Sequence, residues 1–541
     1  MTTRQPSSES DADIAQGEGS ARPVRVLARR VHALCAIALA VAAAVWAVVG
    51  SASLLPELSA NSDEGIYLLQ ADALKSGLLA PAAPADDPGA YRPWFSVVRD
   101  GSYVLKYAPV HASVIAAFDA VTTSPRAALG AIAAAQVLLV ITLAREMGAS
   151  RRAALIAGAL FATAPLVLQL DLTFLSYGTS LSLLLAASAA ALRARRTRAR
   201  APALVAGFCW GFAAFARPYD AALFGLALTA ALAWPRLRAG SRPEPRRRLV
   251  RLAGLACLGA LVPLAALLAF NQAMTGDALR LPFHLLERRD APGLGLRRAL
   301  PSDTFLDYDL GKALSSLGRN LLLVSVWSAG GLLGCGLAAA TLVRRRLRHA
   351  ALSLAILAVW PVGYALFWGS YVAAFLWDGA LFLGPFYYLP MVAALAIPAG
   401  VALDDLWHWR PPLAAVAAVG SAALVVALVA PRLAEQHERS EQRSEVADAV
   451  ADEVESPALV FIPPLYGPFL QNPLSFLRNS AEIGGPVVYA LDRGDAANDK
   501  VRAAHPTRRA YRLVLVNGWS DQPGFEPIVT INEMGASGAR Q

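Results

Sequence analysis

Two adjacent carboxylates, Asp63 and Glu64, stand in the segment NSDEGIY a few residues after a long apolar run ends. A carboxylate beside low-dielectric surroundings has a raised pKa, which suits a general base. The same pair could instead cap the helix that SDEGIYLLQ begins, with Ser62 or Asp63 at the cap. Lys106, one of only four lysines, lies in YVLKYAPVH. A cation at headgroup depth either binds a lipid phosphate as a point charge or snorkels to the interface. His111 follows on the same expected helix and either takes part directly or packs as an ordinary imidazole. In FARPYDAALF, Arg217 falls at the outer end of two adjacent apolar runs, where it either pairs with Asp220 or receives an anionic ligand, and Tyr219 lies between the two. Asp171, in LQLDLTFLSYG, sits at another outer helix end and is a second acidic candidate. Tyr67 and His284 are further candidates for substrate binding.

The elements that must position these groups are membrane helices. The chain has 541 residues, of which 56% are hydrophobic and 16% charged, with a mean hydropathy of +0.44. Soluble domains carry roughly 25% charged residues. A net charge of +9 would suit nucleic acid, but the arginines cluster between apolar runs and are not interleaved with exposed aromatics. Orientation by positive charge on the inner side explains them, and no nucleic-acid partner is expected. The four cysteines, Cys35, Cys209, Cys257 and Cys335, all fall inside apolar runs and read as small core residues.

Residues 1–30 are polar and poor in apolar side chains, which predicts a disordered cytoplasmic tail and no signal peptide. Arg25, Arg29 and Arg30 then place the N-terminus inside and the first acidic pair outside. Spans are expected at 31–53, 126–145, 153–170, 177–192, 202–217, 219–235, 252–272, 319–343, 350–369, 380–403 and 412–431. That gives about eleven, with the arginine clusters at 193–200, 236–251 and 344–348 all inside. Residues 54–125 form one outer loop, in which Lys106 to Ser124 is an interfacial helix, and residues 271–317 form another, assigned to substrate contact. From 432 to 541, the stretches ALVFIPP, GPVVYALDRG and AYRLVLVNGW have strand character bounded by Pro and Gly. The expected fold is an all-α polytopic transmembrane bundle, residues 31–431, with a small C-terminal α/β extracytoplasmic domain.

No Gly-rich phosphate loop, His-Glu-x-x-His or clustered Cys/His set occurs, so nucleotide coupling and a structural zinc are not expected. A divalent metal is left open.

The order of these parts resembles the polytopic glycosyltransferases of the GT-C superfamily, most closely the bacterial branch of protein mannosyltransferases and aminoarabinose transferases. The resemblance covers residues 30–440 and rests on an inside N-terminus, NSDEGIY opening the first outer loop, KYAP before the interfacial helix, RPY at a span end and GPFYYLPMVAAL late in the chain. It departs where the family's lysine is followed by PPG and this chain has APVH, and where Phe386 replaces a common arginine. The resemblance implies transfer of a sugar from a polyprenyl-phosphate carrier to a lipid, glycan or protein acceptor at the outer face of the bacterial cytoplasmic membrane. It implies Asp63 as the base with Glu64 as neighbour or substitute, and Lys106 and Arg217 on the donor phosphate. The competing class is a transporter or flippase of a lipid-linked sugar, which would ordinarily show internal repeats and mid-span charges.

Overall fold

The computed structural model describes residues 10–234, 246–298, 305–344, 350–376, 383–464, 473–520 and 524–535, with backbone alone at 10–26, 28, 246 and 298. Helix α1 runs from Ser10 to Leu54, so the tail expected to be disordered through residue 30 is helical from Ser10. Extending an existing helix needs no new nucleus, and the apolar run supplies one. Residues 1–9 lie outside the described ones.

The first outer loop is built rather than irregular. It holds α2 (Asp63–Lys75), an antiparallel hairpin of β1 (Ser96–Arg99) and β2 (Ser102–Leu105), and α3 (Val110–Thr122). Lys106 is therefore not on the interfacial helix. Its N–H still donates to Phe95 O at 3.0 Å, continuing the hairpin, and the helix starts only after Pro109.

The bundle continues with α4 (Arg126–Glu146), α5 (Arg151–Ala162), α6 (Pro165–Leu170), α7 (Tyr177–Thr197), α8 (Arg200–Ala216), α9 (Pro218–Ala233) and α10 (Arg246–Thr275). The second outer segment carries α11 (Pro282–Leu286) and a hairpin of β3 (Gly295–Arg298) and β4 (Phe305–Tyr308). Then come α12 (Leu310–Trp327), α13 (Gly331–Val343), α14 (Ala350–Ala365), α15 (Trp368–Phe375), α16 (Leu389–Trp409) and α17 (Pro411–Glu453).

Among the described residues, five helices are long and apolar enough to cross a membrane: Arg29–Leu54 of α1, α4, Arg247–Thr275 of α10, Phe386–Trp409 including α16, and α17. Two bent pairs, α12 with α13 at 96° and α14 with α15 at 84°, bring the number to seven. The other four expected spans fall short of a spanning helix for local reasons. Pro165 splits α5 from α6, Ser, Thr and Arg dilute α7, and α8 and α9 have only 17 and 16 residues.

The two bends explain why spans expected to be continuous are not. Between α12 and α13, Gly330 and Gly331 take φ of +74° and +58°, a turn that side chains with a Cβ resist. Between α14 and α15 the freed carbonyls are taken up by the outer segment: Tyr308 Oη donates to Ala365 O at 2.7 Å and Gly293 N to Leu366 O at 2.7 Å.

Helix α17 passes through Pro431 without a break, so the boundary expected at 431/432 lies inside one helix. Beyond it, β5 (Ala458–Ile462), β6 (Val487–Leu491), α18 (Asp495–Ala504), β7 (Arg509–Leu515) and β8 (Val529–Glu533) form a mixed sheet of order β6-β5-β7-β8. Strand β5 is parallel to β6 and β7, and β8 is antiparallel to β7. Both faces are covered. Val460 and Ile462 pack with Val446 and Val450 of α17, whereas Leu459 and Phe461 pack with Ile66 and Leu69 of α2. The helix that carries the acidic pair is thereby wedged between the bundle and this sheet. The cysteines are free, and Cys35 and Cys257 are exposed on outward helix faces rather than set in a core.

Candidate active site

Asp63 is the first residue of α2, and its carboxylate accepts a hydrogen bond from Tyr107 Oη at 2.7 Å. Lys106 and Arg217 lie close enough for their charges to act on it. Burial raises the Asp63 pKa, while Lys106, the Tyr107 hydrogen bond and Arg217 act to lower it. A half-buried carboxyl facing two cations, with its protonation poised by opposing effects, has the makings of a general base.

Lys106 sits in a box of rings. Its ammonium is 4.1 Å from the Phe95 centroid, 4.6 Å from Phe283 and 5.5 Å from Tyr107. It pairs at 3.0 Å with Asp290, with only 11% of the lysine side chain and 6% of the aspartate exposed. Trp368 Nε1 donates to the other Asp290 oxygen at 3.1 Å. Both Phe283 and Asp290 come from the outer segment 271–317, so that segment closes over the lysine.

Arg217 lies between α8 and α9. Its Nε donates to Asp220 at 2.6 Å, its Nη1 to Ser176 Oγ at 3.4 Å, and its guanidinium stacks 4.1 Å from the Tyr177 ring. Tyr364 Oη also donates to Asp220. Tyr387, from the turn before α16, stacks on Tyr364 at 5.2 Å and meets Tyr177 at 5.8 Å. Phe386, in the place of the family's arginine, is buried against Tyr177. The pairing of Arg217 with Asp220 and its position near Asp63 coexist, so the two readings of this arginine are not exclusive.

The neighbouring acid has a different setting. Glu64 is 0% exposed. One oxygen accepts from Ser59 N at 3.0 Å and from Ser59 Oγ, and the other from Phe174 N at 2.7 Å. Burial raises its pKa, against the Ser59 and Phe174 hydrogen bonds and Arg443. Glu64 thus buckles the start of α2 to the turn 171–176, which presents Ser176 to Arg217. An amide could accept only one of the two N–H groups and would set its own NH2 against the other. Glu64→Gln is therefore expected to destabilise the protein by about 1–3 kcal/mol. Thermal unfolding of the purified variant checks this; an unchanged midpoint would show that the carboxylate is not needed there.

The remaining candidates are distributed around this centre. Tyr67 Oη donates to Ser176 Oγ at 2.8 Å, and its ring stacks on Tyr107 at 4.9 Å and meets His111 edge-on at 4.9 Å. His111 is fully engaged. Nε2–H donates to Phe174 O at 2.9 Å, and Nδ1 accepts from Thr179 Oγ1 at 2.8 Å. Burial lowers its pKa to about 4, so it is a neutral bracket under Tyr67. Asp171 turns toward α4, accepting from Gln136 Nε2 at 3.2 Å, and burial pushes it up to about 7. Tyr219 donates to Gly363 O and packs on Tyr364 and Phe367. His284 lines an open basic depression of about 450 Å³ with Arg280, Arg288 and Arg289. Sequence reasoning missed Tyr107, Asp290, Ser176, Tyr177 and Tyr364. Only Tyr107, adjacent to the singled-out lysine, carried a local signal. Among the described residues no group of three or more His, Cys, Asp or Glu is placed to hold a metal.

The apolar helices and the two broken pairs make a multi-pass membrane fold, with an acidic centre at the mouth of the first outer loop. Among the solved structures it resembles is ArnT from Cupriavidus metallidurans. In the form bound to undecaprenyl phosphate the TM-score is 0.59 at 15% identity, over 93% of this chain and 99% of that one. In the apo state the score is 0.55 at 15% identity, over 92% and 94%. The archaeal oligosaccharyltransferase AglB from Archaeoglobus fulgidus, in complex with an inhibitory peptide and a dolichol-phosphate, gives 0.42 at 13% identity over 88% of this chain and 69% of that one. A domain of unknown function, DUF7846, matches residues 458–530, which is the sheet as far as the start of β8. No curated protein matches the chain in sequence.

Proposed function

We propose that this chain is a glycosyltransferase that moves a sugar from a polyprenyl-phosphate carrier to an acceptor hydroxyl at the outer face of a bacterial cytoplasmic membrane, with its N-terminus inside and its C-terminal sheet outside. The observation that carries the reading is the Asp63 carboxyl placed within the fields of Lys106 and Arg217 at the end of the first outer connection. The ArnT structure with undecaprenyl phosphate supports it, because that protein of the same fold binds a polyprenyl phosphate.

The step balances with groups on this chain. Asp63 takes the acceptor O–H proton as that oxygen bonds to the anomeric carbon. The bond from that carbon to the phosphate oxygen breaks, and its electron pair leaves with the polyprenyl phosphate. Lys106 and Arg217 stabilise the charge that develops there. No nucleotide is needed, because the carrier's sugar–phosphate bond supplies the driving force. Asp290 occupies Lys106 in this structure, and the donor phosphate takes its place. Glu64 and His111 position the walls of the site.

The test is mass spectrometry of membrane lipids from cells with and without the chain. Its absence should cause a sugar-loaded polyprenyl phosphate to accumulate and one envelope glycan or lipid to lose that sugar. Identical carrier pools would remove the transferase reading and favour transport of a loaded carrier.

A further inference from the structure

Residues 55–62 connect α1 to α2 without helix or strand, yet they sit at a buried junction, so their backbone polar groups must find partners elsewhere. Three of those partners come from the part of α17 that continues beyond the membrane. Gln436, Ser440 and Arg443 are spaced i, i+4 and i+7 and so share one helix face. Gln436 Oε1 accepts from Ala60 N at 3.4 Å, Ser440 Oγ accepts from Glu57 N at 3.0 Å, and the Arg443 guanidinium donates to Ser59 O. His437, on the same turn, donates from Nδ1 to Leu54 O at 3.2 Å. From the other side Arg126 Nη2 donates to Leu55 O at 3.1 Å and Pro56 O at 2.9 Å.

Ser59 is the hinge of this arrangement. Its carbonyl is held by Arg443, while its N–H and hydroxyl hold Glu64 one residue from Asp63. The sheet unit adds a second hold on the same helix. Ser475 O lies so close to Gly65 that a Cβ there would be 2.1 Å from it, and Asp72 accepts from Ala481 N at 2.9 Å. The helix that carries Asp63 is therefore gripped at its start by α17 and along its side by the 473–481 segment. Arg443 is 3% exposed, and its guanidinium is turned to the Ser59 carbonyl of the 55–62 connection.

We propose that Arg443 is a positioning residue for Asp63, acting through Ser59 and Glu64, and that the extension of α17 with the C-terminal sheet serves as the clamp that fixes the catalytic helix. Misplacing a reacting group by about 1 Å can cost on the order of 100-fold in rate without altering distant binding contacts. Arg443→Gln should therefore lower turnover by about 10- to 100-fold while affinity for undecaprenyl phosphate, which rests on Lys106 and Arg217, stays within about two-fold. Arg443→Lys keeps a cationic donor for Ser59 O and should recover much of the rate.

Two measurements test this on the full chain. Hydrogen exchange should show the amides of residues 59–66 losing about ten-fold in protection in Arg443→Gln and regaining it in Arg443→Lys, with α8 and α9 unchanged. Turnover, read as depletion of the sugar-loaded carrier from the cell's own membranes, should follow the same order. Parental exchange at 59–66 in Arg443→Gln overturns the proposal, and so does a loss of turnover accompanied by an equal loss of undecaprenyl phosphate affinity. Should Arg443→Gln fail to fold, Ser440→Ala, which removes one acceptor from the same face, must show the same pattern in smaller measure; unchanged exchange there is equally fatal. The turnover arm rests on the transferase reading, and a parent protein that depletes no loaded carrier would refute that reading while the exchange arm still decides the clamp.

Discussion

Asp63→Asn should reduce turnover by about 100- to 10,000-fold, the range expected when a general base is removed. Asparagine keeps the size of the side chain and an oxygen for the Tyr107 hydroxyl, so the hydrogen bond at 2.7 Å survives while the proton acceptor is lost. Binding of undecaprenyl phosphate should persist, because Lys106 and Arg217, proposed to hold the phosphate, are untouched. Stability separates this variant from Glu64→Gln, because Asp63 accepts from one hydroxyl that an amide oxygen can equally take, whereas Glu64 spans two backbone N–H groups on its two oxygens. The folded-state pKa of Asp63 is raised, so its stabilising contribution is present at low pH and lost as the pH rises through that pKa. Ionised Asp63 is thus a cost to folding near neutrality, and Asp63→Asn should unfold at the parental temperature or higher. In the parent enzyme the rate should fall as pH drops through that same raised pKa, which places the acid limb above the ordinary carboxylate range. A variant that transfers sugar at the parental rate would make Asp63 a helix-start residue and nothing more. The role of base would then have to be sought elsewhere.

The sequence shows the apolar runs that become helices and the β-branched and aromatic stretches, bounded by Pro and Gly, that become strands, because composition and punctuation are local properties of the chain. The bends were not legible. Gly330–Gly331 lies in a long, mainly apolar run, and the break after Ala365 is stabilised by Tyr308 and Gly293 from a segment more than fifty residues earlier. The site divides the same way. Asp63 stood out for its place just beyond the first apolar run, Lys106 as one of four lysines, and Arg217 as a cation at an outer helix end. Asp290 did not, since in ERRD it reads as one more charge in a polar loop, and only folding brings it to Lys106. Glu64 shows the limit most clearly. It shares charge and sequence neighbourhood with Asp63, yet its two oxygens are engaged by Ser59 and Phe174, which are far apart in the sequence. Nothing in NSDEGIY distinguishes the two acids.

Lys106 and Asp290 must be tested together, because neither side chain can be removed from a buried pair without stranding the other. Lys106→Ala alone should destabilise the protein by about 3–5 kcal/mol, the cost of leaving one charge of a buried pair uncompensated. That loss would obscure a simple binding experiment. In the double variant Lys106→Ala with Asp290→Asn, Trp368 Nε1 can still donate to the asparagine oxygen, and most of the stability should return. On the proposed reading undecaprenyl phosphate affinity should not return, because the cation proposed for the phosphate is gone. Asp290→Asn by itself removes the carboxylate that competes for Lys106 and should tighten undecaprenyl phosphate binding by about ten-fold, equivalent to about 1.4 kcal/mol. The three variants thus move stability and affinity in different combinations. Unfolding midpoints and carrier titrations on purified protein read both. If the double variant binds the carrier as the parent does, Lys106 is a cation stored in an aromatic box for structural reasons, and the phosphate rests on Arg217 alone.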